Sequence, residues 1–144
     1  MLITLSILAL VYVIMGKDVK PIIAKLKRID LKAKINALVD KLRPWALKVG
    51  RVAARPMLQF YYVMDDERTS MLDKVLIYGA IVYTIMPMDL LPRSVFKLLG
   101  MLDDGLAVMF VYKRIKSRIT PDIRSRVEER LDEWFGVEYE IVQG

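Results

Sequence analysis

The sequence predicts an all-α protein: a short N-terminal membrane anchor, a long basic amphipathic helix, an apolar helical hairpin with a Pro/Asp-rich turn, and a C-terminal amphipathic helix. Three observations carry this reading. Residues 2–15 hold no charged side chain, and Lys17 and Lys20 follow at once. Leu31, Ile35, Leu38, Leu42, Trp45, Val49 and Val52 recur at alternating spacings of four and three, which is the period of one helix face. Lys74 and Asp89 bracket 14 uncharged residues, and eight more run from Asp104 to Tyr112, so two apolar segments flank a turn that carries acids.

Composition narrows the chemistry. At 144 residues the chain has room for one small domain and an anchor. Apolar residues make up 55% of it, above the ~45–50% usual for soluble chains, while 28% are charged. The two classes are therefore segregated along the chain. With no cysteine there are no disulfides and no thiolate metal sites. With no histidine, neither a Ser-His-Asp nor a Cys-His arrangement can be assembled, and a bound metal would be a hard, oxygen-ligated ion. The net charge of +6 is uneven: residues 17–55 hold 12 Lys/Arg against three Asp, and residues 56–144 hold 11 against 14 Asp/Glu.

These shifts divide the chain into an apolar anchor (1–16), a basic amphipathic helical segment (17–64), a helical domain (65–136) and a tail (137–144). A helix over residues 2–15 is about 20–24 Å long, short of the ~30 Å hydrocarbon core. A cleaved signal peptide is disfavoured, because no basic residue precedes the run and no small-residue cleavage site ends it. A buried helix is the alternative to an anchor. The lysines that follow favour the anchor, with Lys17 onward on the cytoplasmic side.

Residues 19–55 read as helix with a kink at Pro44. Its basic surface, including Lys25, Arg28, Lys32, Lys41 and Lys48, suits an anionic membrane face, where each cation contributes ~1 kcal/mol. A bundle helix with a solvated basic rim is the plain alternative. Phe60-Tyr61-Tyr62 fits either a lipid–water boundary or a core. Thr69 or Ser70 is expected to cap a helix running to about Met86, apolar nearly all round and ended by Pro87. After a turn over 87–101, a second helix is expected from about Leu102 to Ser117, with Leu102, Leu106, Met109 and Tyr112 or Lys113 on one stripe. Thr120-Pro121-Asp122 is a strong helix start, and the helix it opens places Ile123, Val127, Leu131 and Trp134 or Phe135 on one face. Gly136 is a natural stop. The tail alternates like a strand over 137–141, though a terminal segment without a partner is more often frayed.

The acids of the turn have several readings. Asp103 is placed to cap the following helix, and Asp89 to form a side-chain-to-backbone turn. Arg93 is positioned to pair with Asp89 or Asp104. Asp89, Asp103 and Asp104 also form a candidate oxygen site for Mg or Ca. In an apolar hairpin they form a protonatable cluster as well, since adjacent carboxylates raise one another's pKa. A docking surface for another protein is a further reading.

The order Tyr83, Pro87, Asp89, Leu90, Leu91, Pro92, then Gly100, Leu102, Asp103 and Asp104, resembles the signature of the YkvA family. These are small, mostly bacterial proteins grouped as a domain of unknown function. The resemblance covers about residues 72–116. Arg93 stands where that family commonly has Asp, and its second loop proline is replaced by Phe96 or Lys97. The resemblance implies an α-helical, often membrane-associated protein and no established reaction.

Together these readings give a non-enzymatic scaffold or adaptor at an anionic membrane surface, with its bulk on the cytoplasmic side of a bacterial membrane. The alternative is an acid-dependent site on Asp89, Asp103 and Asp104, serving a divalent-metal-dependent hydrolase or an ion or proton pathway. Anionic lipid is the expected partner, with another protein second. Nucleic acid is not expected, since the basic helix also carries an apolar seam.

Overall fold

The computed structural model describes residues 2–85 and 106–136. These form seven α-helices: α1 (Leu2–Ile14), α2 (Lys20–Leu26), α3 (Leu31–Val49), α4 (Arg51–Asp65), α5 (Met71–Ile85), α6 (Leu106–Ile115) and α7 (Pro121–Phe135), with a 3₁₀ turn at Lys116–Arg118. The described residues contain no strand, in keeping with the all-α expectation. The Pro/Asp-rich turn and the tail lie outside the described residues.

No helix among the described residues is long and apolar enough to cross a membrane. α1 has 13 residues, about 20 Å of helix. Rather than standing apart as a leader, it packs along α5. Leu5, Ile7, Ala9, Leu10 and Val11 are buried there, opposite Val75 to Val82 of α5, all buried as well. Two helices that are apolar on every side satisfy each other's need for cover.

The expected single helix over 19–55 is three helices. Asp30 ends the first stretch: its carboxylate accepts a hydrogen bond from the Ala33 N–H at 3.2 Å and opens α3. Pro44 is carried within α3, and the chain breaks instead at Gly50, whose φ of +95° lies in a region open to glycine and strained for other residues. This break explains why the expected seam fails at its end. Ile35, Leu38, Leu42 and Ala46 are buried, whereas Val49 and Val52 are 42% and 80% exposed, because Gly50 resets the helical phase between them. In α4, Phe60 and Tyr61 are buried, so this aromatic cluster belongs to the core. α4 packs against α3, α5 and α7 and is the hub of the fold.

Ser70 caps α5, its hydroxyl accepting from the Asp73 N–H at 3.2 Å. Thr69 is buried and donates to the Val63 carbonyl at 2.6 Å, fastening the α4–α5 turn. α6 meets the core through Val111 and Ile115, while Met109 and Tyr112 are exposed, so the described part of the expected stripe faces away from the core. Apolar residues surround this helix, and its period alone does not choose a face. α7 follows expectation. Thr120 caps it by accepting from the Ile123 N–H, Pro121 starts it, Ile123, Val127 and Leu131 are buried, and Gly136 closes it at φ +81°.

Candidate functional site

The basic residues fall into two populations. The ion pairs among the described residues all involve residues from Arg51 onward. Arg51 bridges Glu128 at 3.2 Å and Asp132 at 2.6 Å, and Arg55 bonds Glu128 at 2.7 Å, clamping the start of α4 to α7. The two arginines are four apart and so are the two acids, so each pair lies on one helix face. Glu128 is held below the ordinary glutamate range, first by the hydrogen bond from Arg55 and also by that from Arg51, against the opposing effect of its burial. Arg114 reaches Asp73 at 2.6 Å, tying α6 to α5.

The residues from Lys17 to Lys48 behave differently. They include ten Lys/Arg and three Asp. Two of those acids serve the backbone: Asp18 accepts from the Lys20 N–H at 3.0 Å, and Asp30 caps α3. Lys25, Arg28, Lys32, Lys41 and Lys48 are all exposed, and none forms an ion pair among the described residues. Lys34, Lys41 and Lys48 follow one another at seven-residue intervals, close to two helical turns, and so share a stripe of α3. At the end of that stripe the α3–α4 corner exposes Leu47, Val49 and Val52. Three exposed aliphatic side chains beside Lys48 make an apolar tip on a cationic face.

Beneath the stripe, α1 and α3 both pack on α5, and a cavity of about 340 Å³ is lined by Leu2, Ile3, Ile29, Ala37, Leu38 and Tyr78, with Lys34 and Lys41. Tyr78 is buried, which raises its phenol pKa above the ordinary value.

A second polar feature closes the α4–α5 turn. The Lys74 ammonium donates to the carbonyls of Met64 at 2.9 Å and Asp66 at 3.0 Å, placing a cation on the negative end of α4. Asp66 accepts from the side chain and backbone N–H of Arg68, which holds its carboxyl down at about 2.

Asp89, Asp103 and Asp104 lie outside the described residues, and so does the Mg or Ca site read from them. Among the described residues no group of three carboxylates is placed to hold a metal. Sequence reasoning overlooked the Arg51–Asp132 clamp and the Lys74 contact. The matched four-residue spacing of Arg51/Arg55 and Glu128/Asp132 was the available signal for the first. The lone lysine at the head of an apolar helix was the signal for the second.

Neither a curated protein nor a solved structure matches this chain. Residues 73–110 match a family model described as a protein of unknown function, DUF1232. The match begins in α5 and ends in α6, and it is consistent with the YkvA-like resemblance of the Pro87–Asp104 segment.

Proposed function

We propose that the protein is a non-enzymatic scaffold or adaptor that works at an anionic membrane surface, with the α2–α3 lysine face turned toward lipid headgroups. One observation carries the reading: the cations from Lys17 to Lys48 form no ion pairs among the described residues, while the arginines from Arg51 onward are used to tie helices together. A helical surface left with that much unneutralised charge attracts anionic lipid by ~1 kcal/mol per cation near the headgroups. The exposed Leu47, Val49 and Val52 add an apolar contact of the kind interfacial helices bury at the headgroup boundary. Peripheral attachment of this kind needs no membrane-crossing helix.

The test is co-sedimentation of the full chain with phosphatidylcholine vesicles, with and without phosphatidylglycerol, over a range of salt concentrations. Binding is expected only to the anionic vesicles and is expected to fall as salt rises. Replacing Lys25 and Lys32 together by Gln removes two headgroup contacts and lowers partitioning roughly thirty-fold. Equal binding to both vesicle types, or none to either, overturns the proposal.

A further inference from the structure

The cavity between α1 and α3 is built unlike the rest of the surface. Its wall is aliphatic, from Leu2 and Ile3 on α1, Ile29 before α3, and Ala37 and Leu38 on α3. Its polar lining residues are Lys34, Lys41 and Tyr78, and no carboxylate lines it among the described residues. The Tyr78 hydroxyl, although its residue is 6% exposed, makes no hydrogen bond within the described residues. At about 340 Å³ the cavity falls within the size of ligand pockets, ~300–1,000 Å³. With about 30 Å³ for each methylene-sized group, taken from the volume of a liquid water, it holds on the order of ten such groups.

We propose that this cavity binds one anionic single-chain amphiphile, a lipid-derived molecule with one acyl or alkyl chain and a phosphate or carboxylate head. The chain occupies the aliphatic wall between α1 and α3. The head meets the ammonium groups of Lys34 and Lys41, and Tyr78 supplies a hydrogen-bond donor. Charge decides the sign of the head, since a cationic amphiphile would meet two lysines and no acid among the described lining residues. The volume suits one chain of on the order of ten methylene-sized groups. The inference deepens the membrane-surface reading and rests on it for the source of the ligand: the lysine stripe that faces headgroups is also the rim of the cavity. A single-chain lipid would then enter from the surface to which the protein is attached.

The experiment is calorimetric titration of the full chain with monomeric dodecyl phosphate, alongside inorganic phosphate, dodecanol and dodecyltrimethylammonium, with vesicle co-sedimentation run on the same samples. Saturable one-to-one binding of dodecyl phosphate is expected, at least ten-fold tighter than any of the three comparison compounds. Ala37→Trp, at an exposed position on the wall, is expected to abolish this binding and leave vesicle binding intact. Lys34→Gln/Lys41→Gln is expected to weaken dodecyl phosphate at least ten-fold without changing the affinity for dodecanol, and it serves as the second variant should the indole disturb folding. Vesicle binding without dodecyl phosphate binding overturns the cavity proposal alone. Saturable dodecyl phosphate binding without vesicle binding overturns the surface reading and leaves the cavity standing. Inorganic phosphate binding as tightly as dodecyl phosphate removes the role of the aliphatic wall, and dodecanol binding as tightly removes the role of the lysines; either result overturns the proposal.

Discussion

Gly79 of α5 sits against the backbone of Ser6 in α1: a Cβ built on Gly79 would stand 3.0 Å from the Ser6 carbonyl oxygen and 3.2 Å from its carbon. The atom in the way belongs to a helix backbone and cannot swing aside, so the absence of a side chain sets how close the two apolar helices come. Gly79→Ala gains about 1 kcal/mol of helix propensity but overpacks the crossing at a cost of ~1–3 kcal/mol. A net loss of stability is expected in urea unfolding, larger for Gly79→Val. A Gly79→Ala protein as stable as the parent would show that α1 moves away without cost.

The other side of the same crossing predicts the opposite sign. The Ser6 hydroxyl is buried and has no hydrogen-bond partner among the described residues. Ser6→Ala removes a polar atom whose burial is uncompensated and places the best helix former in its position. Thermal unfolding is expected to show unchanged or higher stability, within ~1 kcal/mol. A clear loss of stability would reveal a hydrogen bond to that hydroxyl.

Lys74 joins α5 to the end of α4 through two carbonyls. Lys74→Met keeps an apolar stem and removes the donor, leaving the Met64 and Asp66 carbonyls to find water in a half-buried corner. Such a substitution costs ~1–3 kcal/mol. Urea midpoints are the measure, and a midpoint equal to the parent's would reduce the contact to an incidental one.

The clamp between α4 and α7 is a test of coupling. Arg51 is 13% exposed at its side chain, and its partners Glu128 and Asp132 are 46% and 42% exposed. Because the acids recover hydration when the arginine is removed, Arg51→Met is expected to cost ~1–2 kcal/mol rather than the full penalty of a buried pair. A double-mutant cycle with Asp132→Asn should give a coupling of at least ~0.5 kcal/mol. Strict additivity would mean that the ion pair adds no stability.

Two carboxyls and two buried phenols shape the pH dependence. Asp66 and Glu128 are both held below their unfolded values, so the stability they contribute is fully present above those values and is lost as pH falls through the folded ones. For Asp66 that window runs from 3.8 down to about 2. Its amplitude is small, because the Arg68 side chain is 75% exposed. Asp66→Asn with Glu128→Gln should flatten the acid limb of stability against pH. At the other extreme, burial first and the Asp65 carboxylate next push Tyr61 up to about 12. The stability contributed by its neutral phenol is present below 10.0 and lost as pH rises toward about 12; burial raises Tyr78 as well, so tyrosinate absorbance should show at least two late-ionising tyrosines.

Much of the fold was legible because it is written in short-range signals. Thr120-Pro121 opened α7 and Gly136 closed it, since caps depend on three or four consecutive residues. Ser70 capped α5 for the same reason. The Asp30 cap and the Gly50 break were equally local, but the long four-three apolar rhythm masked them, and one helix was read where there are three. The face of α6 was a different problem: with Val108, Met109, Phe110, Val111 and Tyr112 in sequence, only the neighbouring α5 could choose Val111 over Met109.

By itself the sequence determined that the chain is helical, where most helices start and stop, and that its cations crowd the first half. Those properties depend on backbone capping, side-chain period and counting. Tertiary structure alone decided that the greasy first helix lies on α5, that the arginines after Gly50 are spent on holding α4 to α7 and α5 to α6, and that Lys34 and Lys41 edge a hollow. Each is a relation between residues far apart in the chain, and burial of apolar surface is nondirectional: it demands a partner without saying which one.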